Sequence, residues 1–321
     1  MTQNAAITYM SCIRDLPILH RSIALLHKNF KYAREYPIVV FHDDLNQVAK
    51  SSLMVSLHRE LGMMPRITFE ELKWEIPSWV STDPSRYSTS LNEFWMGYRH
   101  MCRFYSGGMY RHPSLAQYDW YWRLDSDSYI LSPVEYDPFQ RMADSGYEYA
   151  YMSDIDDKDH ARVCRGLWEA TMEFMQKNDL PMTNQLKEHS CDDGKSWDYA
   201  MFYTNFEIGK MSFFRGEKYM AYFDHLDQTG EIYYNRWGDN VIHWLGVNML
   251  MDESKIWAVK DMTYQHNNWI KNLSALKDGT VPNDILNLID GDTNPKGRKA
   301  RLLYAIDRYR RTGIDGCNWH D

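Results

Sequence analysis

Two carboxylates set the first chemical question. Asp125-Ser126-Asp127 stands directly after the aromatic run Trp120 to Leu124 (WYWRL), which reads as a strand, so both acids sit at a strand end. Carboxylate oxygens suit a hard divalent cation, and a cation held there can bridge a diphosphate and stabilise its departure. The spacing alone is not selective, since Asp154-Ile155-Asp156 and Asp157-Lys158-Asp159 repeat it. Position at a strand end is what separates the first pair from the others. A second unusual stretch runs from Tyr203 to Asp239 (YTNFEIGKMSFFRGEKYMAYFDHLDQTGEIYYNRWGD), where aromatic and acidic residues crowd together and end on Arg236-Trp237-Gly238-Asp239. An ordinary core segment does not need so many polar side chains.

The elements that must position these residues alternate. Ala5 to Cys12 reads as a strand and Leu16 to Phe30 as a helix; Ile38 to Phe41 reads as a buried strand with His42-Asp43-Asp44 at its C-terminal end. Ile67 to Phe69 predicts a short strand, and Leu91 to Tyr105 a helix stopped by Ser106-Gly107-Gly108. This order predicts an α/β fold with a mainly parallel, Rossmann-like sheet flanked by helices. In such sheets ligands gather at the C-terminal strand ends. Beyond it, Asp154 to Asp159 reads as an acidic loop, Ala161 to Asn178 as a helix and Asp179 to Lys195 as irregular. Helices are expected near Glu217 to Thr229 and across Asn240 to Leu250, and a strand at Lys255 to Val259.

Composition excludes several classes. At 321 residues and 44% apolar, the chain is long enough to bury the core of one large α/β domain or two fused halves. A net charge of −8, with no Lys/Arg run longer than three, excludes a protein that tracks a nucleic-acid backbone. The 12 Trp and 23 Tyr suit pockets that stack sugars or bases, although a Tyr-rich core accounts for the same count. Five cysteines without C-x-x-C spacing leave at least one unpaired and fit a reducing compartment. No apolar run approaches the ~18 to 20 residues of a membrane span, and MTQNAAITYMSCIRDL does not read as a signal peptide, so a soluble, cytoplasmic chain is expected.

Several blocks together carry a family resemblance. They are Met96 to Gly107 (MGYRHMCRFYSG), Arg111-His112-Pro113, Tyr118 to Arg123, Tyr136-Asp137-Pro138-Phe139, Asn205 to Gly209, Phe213 to Gln228, Tyr233 to His243 and Tyr264-Gln265-His266. In these, above all FDHLDQ and YYNRWGD, the chain resembles the fungal Golgi α-1,2-mannosyltransferases, glycosyltransferase family 15. The resemblance implies a single GT-A catalytic domain over 1–321, with a nucleotide-binding half over about 1–130 and an elaborated acceptor-binding and catalytic half over about 131–321. It implies GDP-mannose as donor, Mn2+ (or Mg2+) as cofactor, a glycan or sugar acceptor, and transfer that retains the α configuration. For an excised catalytic domain of this family the Golgi lumen replaces the cytoplasm as the expected compartment.

Residue by residue, the resemblance implies metal ligation by Asp125 and by the late His266, a carboxylate and an imidazole that together suit Mn2+. Where the family has Glu-Pro with a single acid, this chain has Asp125-Ser126-Asp127; Asp127 is left to join the metal, act through water or bind the donor ribose. Glu207 maps onto a carboxylate that acts as nucleophile or stabilises an oxocarbenium-like transition state; the structural alternative is a pair with Arg215 or Arg236. Asp239 matches an acid near the reacting sugars and is also expected to cap the helix that follows. Tyr98 and Arg123 match positions lining the donor and acceptor pockets. Tyr98 would offer its hydroxyl to phosphate or sugar and Arg123 would hold a sugar hydroxyl or one of the carboxylates, with packing the alternative for both. His243 reads as a packing face. For the nucleotide, the expected contacts are Ser11 to Arg14 at the end of the first strand, with Asp43 and Asp44. Loops at Asp154 to His160 and Asp179 to Lys195 are expected to shape the acceptor pocket. Two alternatives stay open at this point: a different donor, GDP-fucose or a UDP-sugar, and a catalytically silent sugar-binding protein of the same fold.

Overall fold

Continuous apolar runs, flanked by polar turns, build the centre of this chain. The computed structural model describes residues 2–88, 96–156, 161–267, 269–276, 279–289 and 298–318. The elements that frame the site begin with β1 (Ala5–Met10), α1 (Leu16–Asn29), β2 (Ile38–His42), α2 (Gln47–Leu61), β3 (Ile67–Glu71), α3 (Met96–Ser106) and β4 (Trp120–Leu124). They continue with β5 (Ser128–Ile130), β6 (Tyr149–Tyr151), β7 (Phe206–Lys210), α4 (Asp239–Leu250) and β8 (Ile256–Ala258). Last come β9 (Tyr264–His266), β10 (Trp269–Lys271), α5 (Arg298–Thr312) and β11 (Cys317–Asn318).

Seven strands form the main sheet in the order β8-β6-β7-β4-β1-β2-β3. β1 pairs in parallel with β2 and β4, β2 with β3, and β8 with β6. β7 lies antiparallel between β4 and β6. The expected parallel sheet is therefore present with one strand reversed, and the reversal matters. It brings Tyr203 to Asn205, which lead into β7, to the same sheet edge as the C-terminal ends of β1, β2 and β4. A smaller antiparallel sheet, β11-β10-β9-β5, stands beside that edge.

Period-two alternation gives the main sheet two unlike faces. Trp120, Trp122 and Leu124 of β4, with Phe206 and Ile208 of β7, face a cluster that includes Leu19, Ile23 and Leu26 of α1. Tyr121 of β4 and Tyr149 of β6 face the opposite cluster, with Val241, Ile242 and Leu245 of α4. A third cluster seats Leu302, Ala305 and Ile306 of α5 against Leu25, Tyr129 and Ile270.

Several elements differ from the sequence reading. The helix expected over Ala161 to Asn178 starts only at Leu167, because Gly166 takes a left-handed φ of 77° at its N-cap. Asp154–Asp156 is a strand paired antiparallel with Ala200–Phe202 rather than a loop, and 157–160 lie outside the described residues. The start of the helix expected from Leu91 also lies outside them, up to residue 95. Within the stretch read as irregular, Thr183 caps a short helix, Asn184–Glu188, by accepting from Leu186 N–H at 3.3 Å. α2 and α5 have no counterpart in the sequence reading; α2 buries only Leu53 and Leu57 and leaves Val48 and Val55 exposed, so its periodicity is faint. Cys12, Cys102 and Cys191 are free thiols. No helix among the described residues is long and apolar enough to cross a membrane.

Candidate functional site

Where β4 ends, Ser128 N–H donates to Asp125 C=O at 3.0 Å and closes a turn with Ser126 and Asp127 at its corner. Ser128 Oγ accepts from Asp125 N–H at 3.1 Å and donates to Asn205 C=O at 2.8 Å, while Tyr264 hydroxyl donates to Asn205 Oδ1 at 2.6 Å. Uncharged groups thus lock β4, β7 and β9 together under the acids. The β9–β5 register sets His266 opposite Ser128, and that register brings the late histidine to the early acids.

His266 Nε2 lies 2.9 Å from Asp127 Oδ1 and 3.8 Å from Asp125 Oδ2. The remaining oxygens are occupied. Asp125 Oδ1 accepts from Arg123 Nε and Nη2 at 3.3 and 3.2 Å, and Asp127 Oδ2 accepts from Arg298 Nη2 at 2.9 Å. Asp125 Oδ2 and Asp127 Oδ1 are consequently both left toward His266 Nε2. Ligands at the usual ~2.0–2.6 Å from one hard cation stand about 3–4 Å apart, so the spacing and the donor types both fit a divalent ion that accepts oxygen and nitrogen. As the side chains stand, no group of three or more His, Cys, Asp or Glu among the described residues is arranged to hold a metal ion; here the His266–Asp127 hydrogen bond closes the trio on itself. Ligation requires the ring proton on Nδ1, which stands 3.2 Å from the Tyr203 hydroxyl, an acceptor for it, and 3.2 Å from Asn205 Nδ2, a donor that favours the opposite tautomer and must turn away. Burial pushes the Asp125 carboxyl up, against the opposing pull of Arg123. At Asp127 burial is outweighed by His266 and Arg298, which hold that carboxyl below its usual range.

Arg123 is shared further. Its Nη1 bonds Asp239 Oδ2, its Nη1 stands 3.9 Å from Glu207 Oε1, and its guanidinium lies 3.5 Å over the Tyr105 ring. Asp239 also accepts from Thr204 Oγ1 at 2.7 Å. Burial there is overcome by Arg123, and the Asp239 carboxyl is held low. Glu207 is fully buried; its Oε2 accepts from Tyr149 hydroxyl and His243 Nδ1, both at 2.8 Å, and its Oε1 has no hydrogen-bond partner. His243 Nε2 lies 3.1 Å from Tyr105 C=O and 3.2 Å from Tyr110 hydroxyl.

These contacts revise three expectations. Glu207 pairs with neither Arg215 nor Arg236: Arg215 donates to the carbonyls of Tyr110, Leu115 and Tyr118, and the Arg236 guanidinium lies 5.3 Å over the Tyr98 ring. Asp239 is not the helix cap, because Gly238 occupies that position and Asp239 is the first helical residue, turned toward Arg123. His243 packs, but it also holds Glu207. Arg123 takes the carboxylate-holding alternative. Sequence reasoning missed Arg298 and Tyr149 altogether, and neither has a local signal, since each acts on a residue far away in the chain.

At the ends of β1 and β2 a cavity of about 520 Å3 is lined by Ser11, Arg14, Asp43, Trp74 and Tyr98. That size suits a nucleotide-scale ligand, typically ~300–1,000 Å3. Asp43 fixes one wall by accepting from Trp74 Nε1 at 2.7 Å, and the indole stacks on His100 with centroids 5.4 Å apart. Arg14 is exposed beside Asp15. Asp44 is absent from this lining; its Oδ1 accepts from Ile13 N–H at 2.8 Å and holds the turn after β1. The β1–β4 register pairs Thr8 with Arg123, so the cavity and the acid cluster share one sheet edge.

Residues 1–276 match the family described as glycolipid 2-alpha-mannosyltransferase. The chain is 34% identical over 249 residues to the probable mannosyltransferase KTR3 of Saccharomyces cerevisiae, covering 75% of this chain and 59% of that protein. It is 33% identical over 272 residues to the alpha-1,2 mannosyltransferase KTR1 of the same yeast, covering 79% of this chain and 66% of that one. Core-mannan synthase A (CmsA/Ktr4) from Aspergillus fumigatus, solved in an Mn/GDP form, superposes with a TM-score of 0.75 at 27% identity, covering 84% of this chain and 76% of its own.

Proposed function

The chain belongs to the glycolipid 2-alpha-mannosyltransferase family and has the GT-A fold, and from that premise we propose that it is a retaining mannosyltransferase, moving mannose from GDP-mannose to a glycan or sugar acceptor with Mn2+. One observation carries the reading: Asp125, Asp127 and His266 meet at the sheet edge that also bears the cavity of about 520 Å3. The Mn/GDP form of core-mannan synthase A supports the choice of base and ion. A divalent cation on Asp125, Asp127 and His266 would supply positive charge to the departing diphosphate.

The other side chains do work of their own. Ser11, Arg14 and Tyr98 line the cavity; in this reading Ser11 and the β1 edge would read the base, and Arg14 and Tyr98 would meet the phosphates. With Asp125 committed to the cation, Asp239 and Glu207 set two carboxylates against the one guanidinium of Arg123. That excess of negative charge stabilises the positive charge developing at the anomeric carbon. Glu207 has no solvent-facing oxygen, which supports the electrostatic role for it over nucleophilic attack. In this reading 1–321 act as one catalytic unit, with the donor cavity drawn from residues before 130 and the acid cluster from both halves.

Thermal unfolding with GDP, UDP, ADP or CMP, each with and without Mn2+, tests the proposal. GDP with Mn2+ is expected to raise the midpoint most, because a ligand at about 100 times its Kd stabilises the folded state by about 2.7 kcal/mol. A larger shift with UDP would overturn the donor assignment. Release of GDP from GDP-mannose without acceptor is expected of an enzyme, and its absence, together with no transfer to any mannoside, would leave a sugar-binding protein.

A further inference from the structure

The family match ends at residue 276, but the acid cluster does not. Arg298, the first residue of α5, is only 8% exposed. Besides donating to Asp127 Oδ2 at 2.9 Å, its Nη2 lies 3.4 Å from Asn267 Oδ1, and its Nη1 lies 3.2 Å from Tyr129 hydroxyl. The guanidinium stands 5.2 Å over the Tyr129 ring, and the Arg298 carbonyl accepts from Gln265 Nε2 at 3.1 Å. Side chain and backbone of this one residue are thereby tied to β5 and β9, the strands that flank the acid turn and carry His266. Behind it, Leu302, Ala305 and Ile306 seat the helix in its own apolar cluster. A buried guanidinium is tolerated only when it is paired, and here both terminal nitrogens are used on one carboxylate and its supports.

We propose that Arg298 is a positioning residue of the cation site: by occupying Asp127 Oδ2 it presents Oδ1 to His266 Nε2, and so makes α5 a working part of that site. Arg123 does the same for Asp125, occupying Oδ1 and leaving Oδ2 toward His266. The inference rests on the reading of Asp125, Asp127 and His266 as a cation site. It deepens that reading by assigning Asp127 direct ligation, in preference to contact through water or with the ribose.

Mn2+ binding to the whole chain, followed by electron paramagnetic resonance of the free ion with no donor or acceptor present, tests it. Arg298→Ala is expected to weaken Mn2+ by about 10–100-fold, the usual cost of removing a group that orients a ligand. Arg298→Lys is expected to recover part of the loss, since a point charge cannot grip Asp127, Tyr129 and Asn267 together. In an Asp127→Asn background Arg298→Ala should add little, because the two side chains act as a unit. Mn2+ affinity within twofold of the parent in both Arg298 variants, or a full additional loss in the Asn background, would overturn the inference while leaving the cation site standing. No Mn2+ binding by the parent chain, with or without GDP, would overturn the cation site and the inference with it.

Discussion

On one side of β4, Trp122 packs edge-on against Phe30, Phe139 and Phe206 at centroid distances of 5.5, 6.2 and 5.3 Å. On the other side of the same strand, Tyr121 bonds Tyr110 and Arg123 gathers Asp125, Asp239 and Glu207. Both faces are mostly buried, with the Asp125 side chain 34% exposed, and they spend burial differently. The aromatic face is close-packed enough to leave the Trp122 indole N–H without a partner, a cost of about 1–3 kcal/mol that packing offsets. The charged face holds nearly every polar atom by hydrogen bonds. Glu207 Oε1 is an exception, directed to within 3.9 Å of Arg123. A cluster of that kind is expected where charge must stand ready for chemistry, because a preorganised field needs fixed partners and the absence of water.

The comparison breaks first at Arg123. Arg123→Ala leaves two buried carboxylates, Glu207 and Asp239, and the half-buried Asp125 without their shared cation, and urea unfolding is expected to show a loss of about 3–5 kcal/mol. A loss below about 1 kcal/mol would mean that the charged face is no more tightly coupled than the aromatic one. Next come Asp125→Ala and the isosteric Glu207→Gln. Each is expected to lower mannosyl transfer by ~10²-fold or more with the fold retained, and near-normal turnover in either would remove that residue from the proposed chemistry. The smallest effect sharpens the contrast from the other side. Trp122→Phe is expected to cost about 1–2 kcal/mol of stability through lost volume. Turnover per folded molecule should stay within about twofold, and a drop in turnover comparable to that of Asp125→Ala would show that the two faces are mechanically coupled.

Much of the architecture was legible from local pattern. β1, β2 and β4 are short apolar runs with polar residues just beyond their ends, and such runs have few other uses than buried strands. α2 and α5 were not legible, because each buries only a few side chains and the rest resemble any solvated segment. Asp239 shows the limit at a single residue. An acid before a helix is a good capping signal, yet Gly238 supplies the cap position and Arg123, from β4, claims the carboxylate. His243 shows the same limit in reverse, since its helical position reveals burial but not the Glu207 oxygen 2.8 Å away.

By itself the amino-acid sequence determined the α/β framework, the strand end on which Asp125 and Asp127 stand, and the family blocks that mark Glu207, Asp239 and His266. Those features depend on neighbours within a few residues, where chain geometry dictates spacing. Tertiary structure decided that β7 runs against its neighbours, that His266 reaches the acids through the β9–β5 register, and that Arg123 and Arg298 each take one oxygen of a carboxylate. Such pairings depend on hydrogen bonds and Coulomb attraction that act over a few ångströms of space, and only folding brings residues so far apart in the chain within that reach.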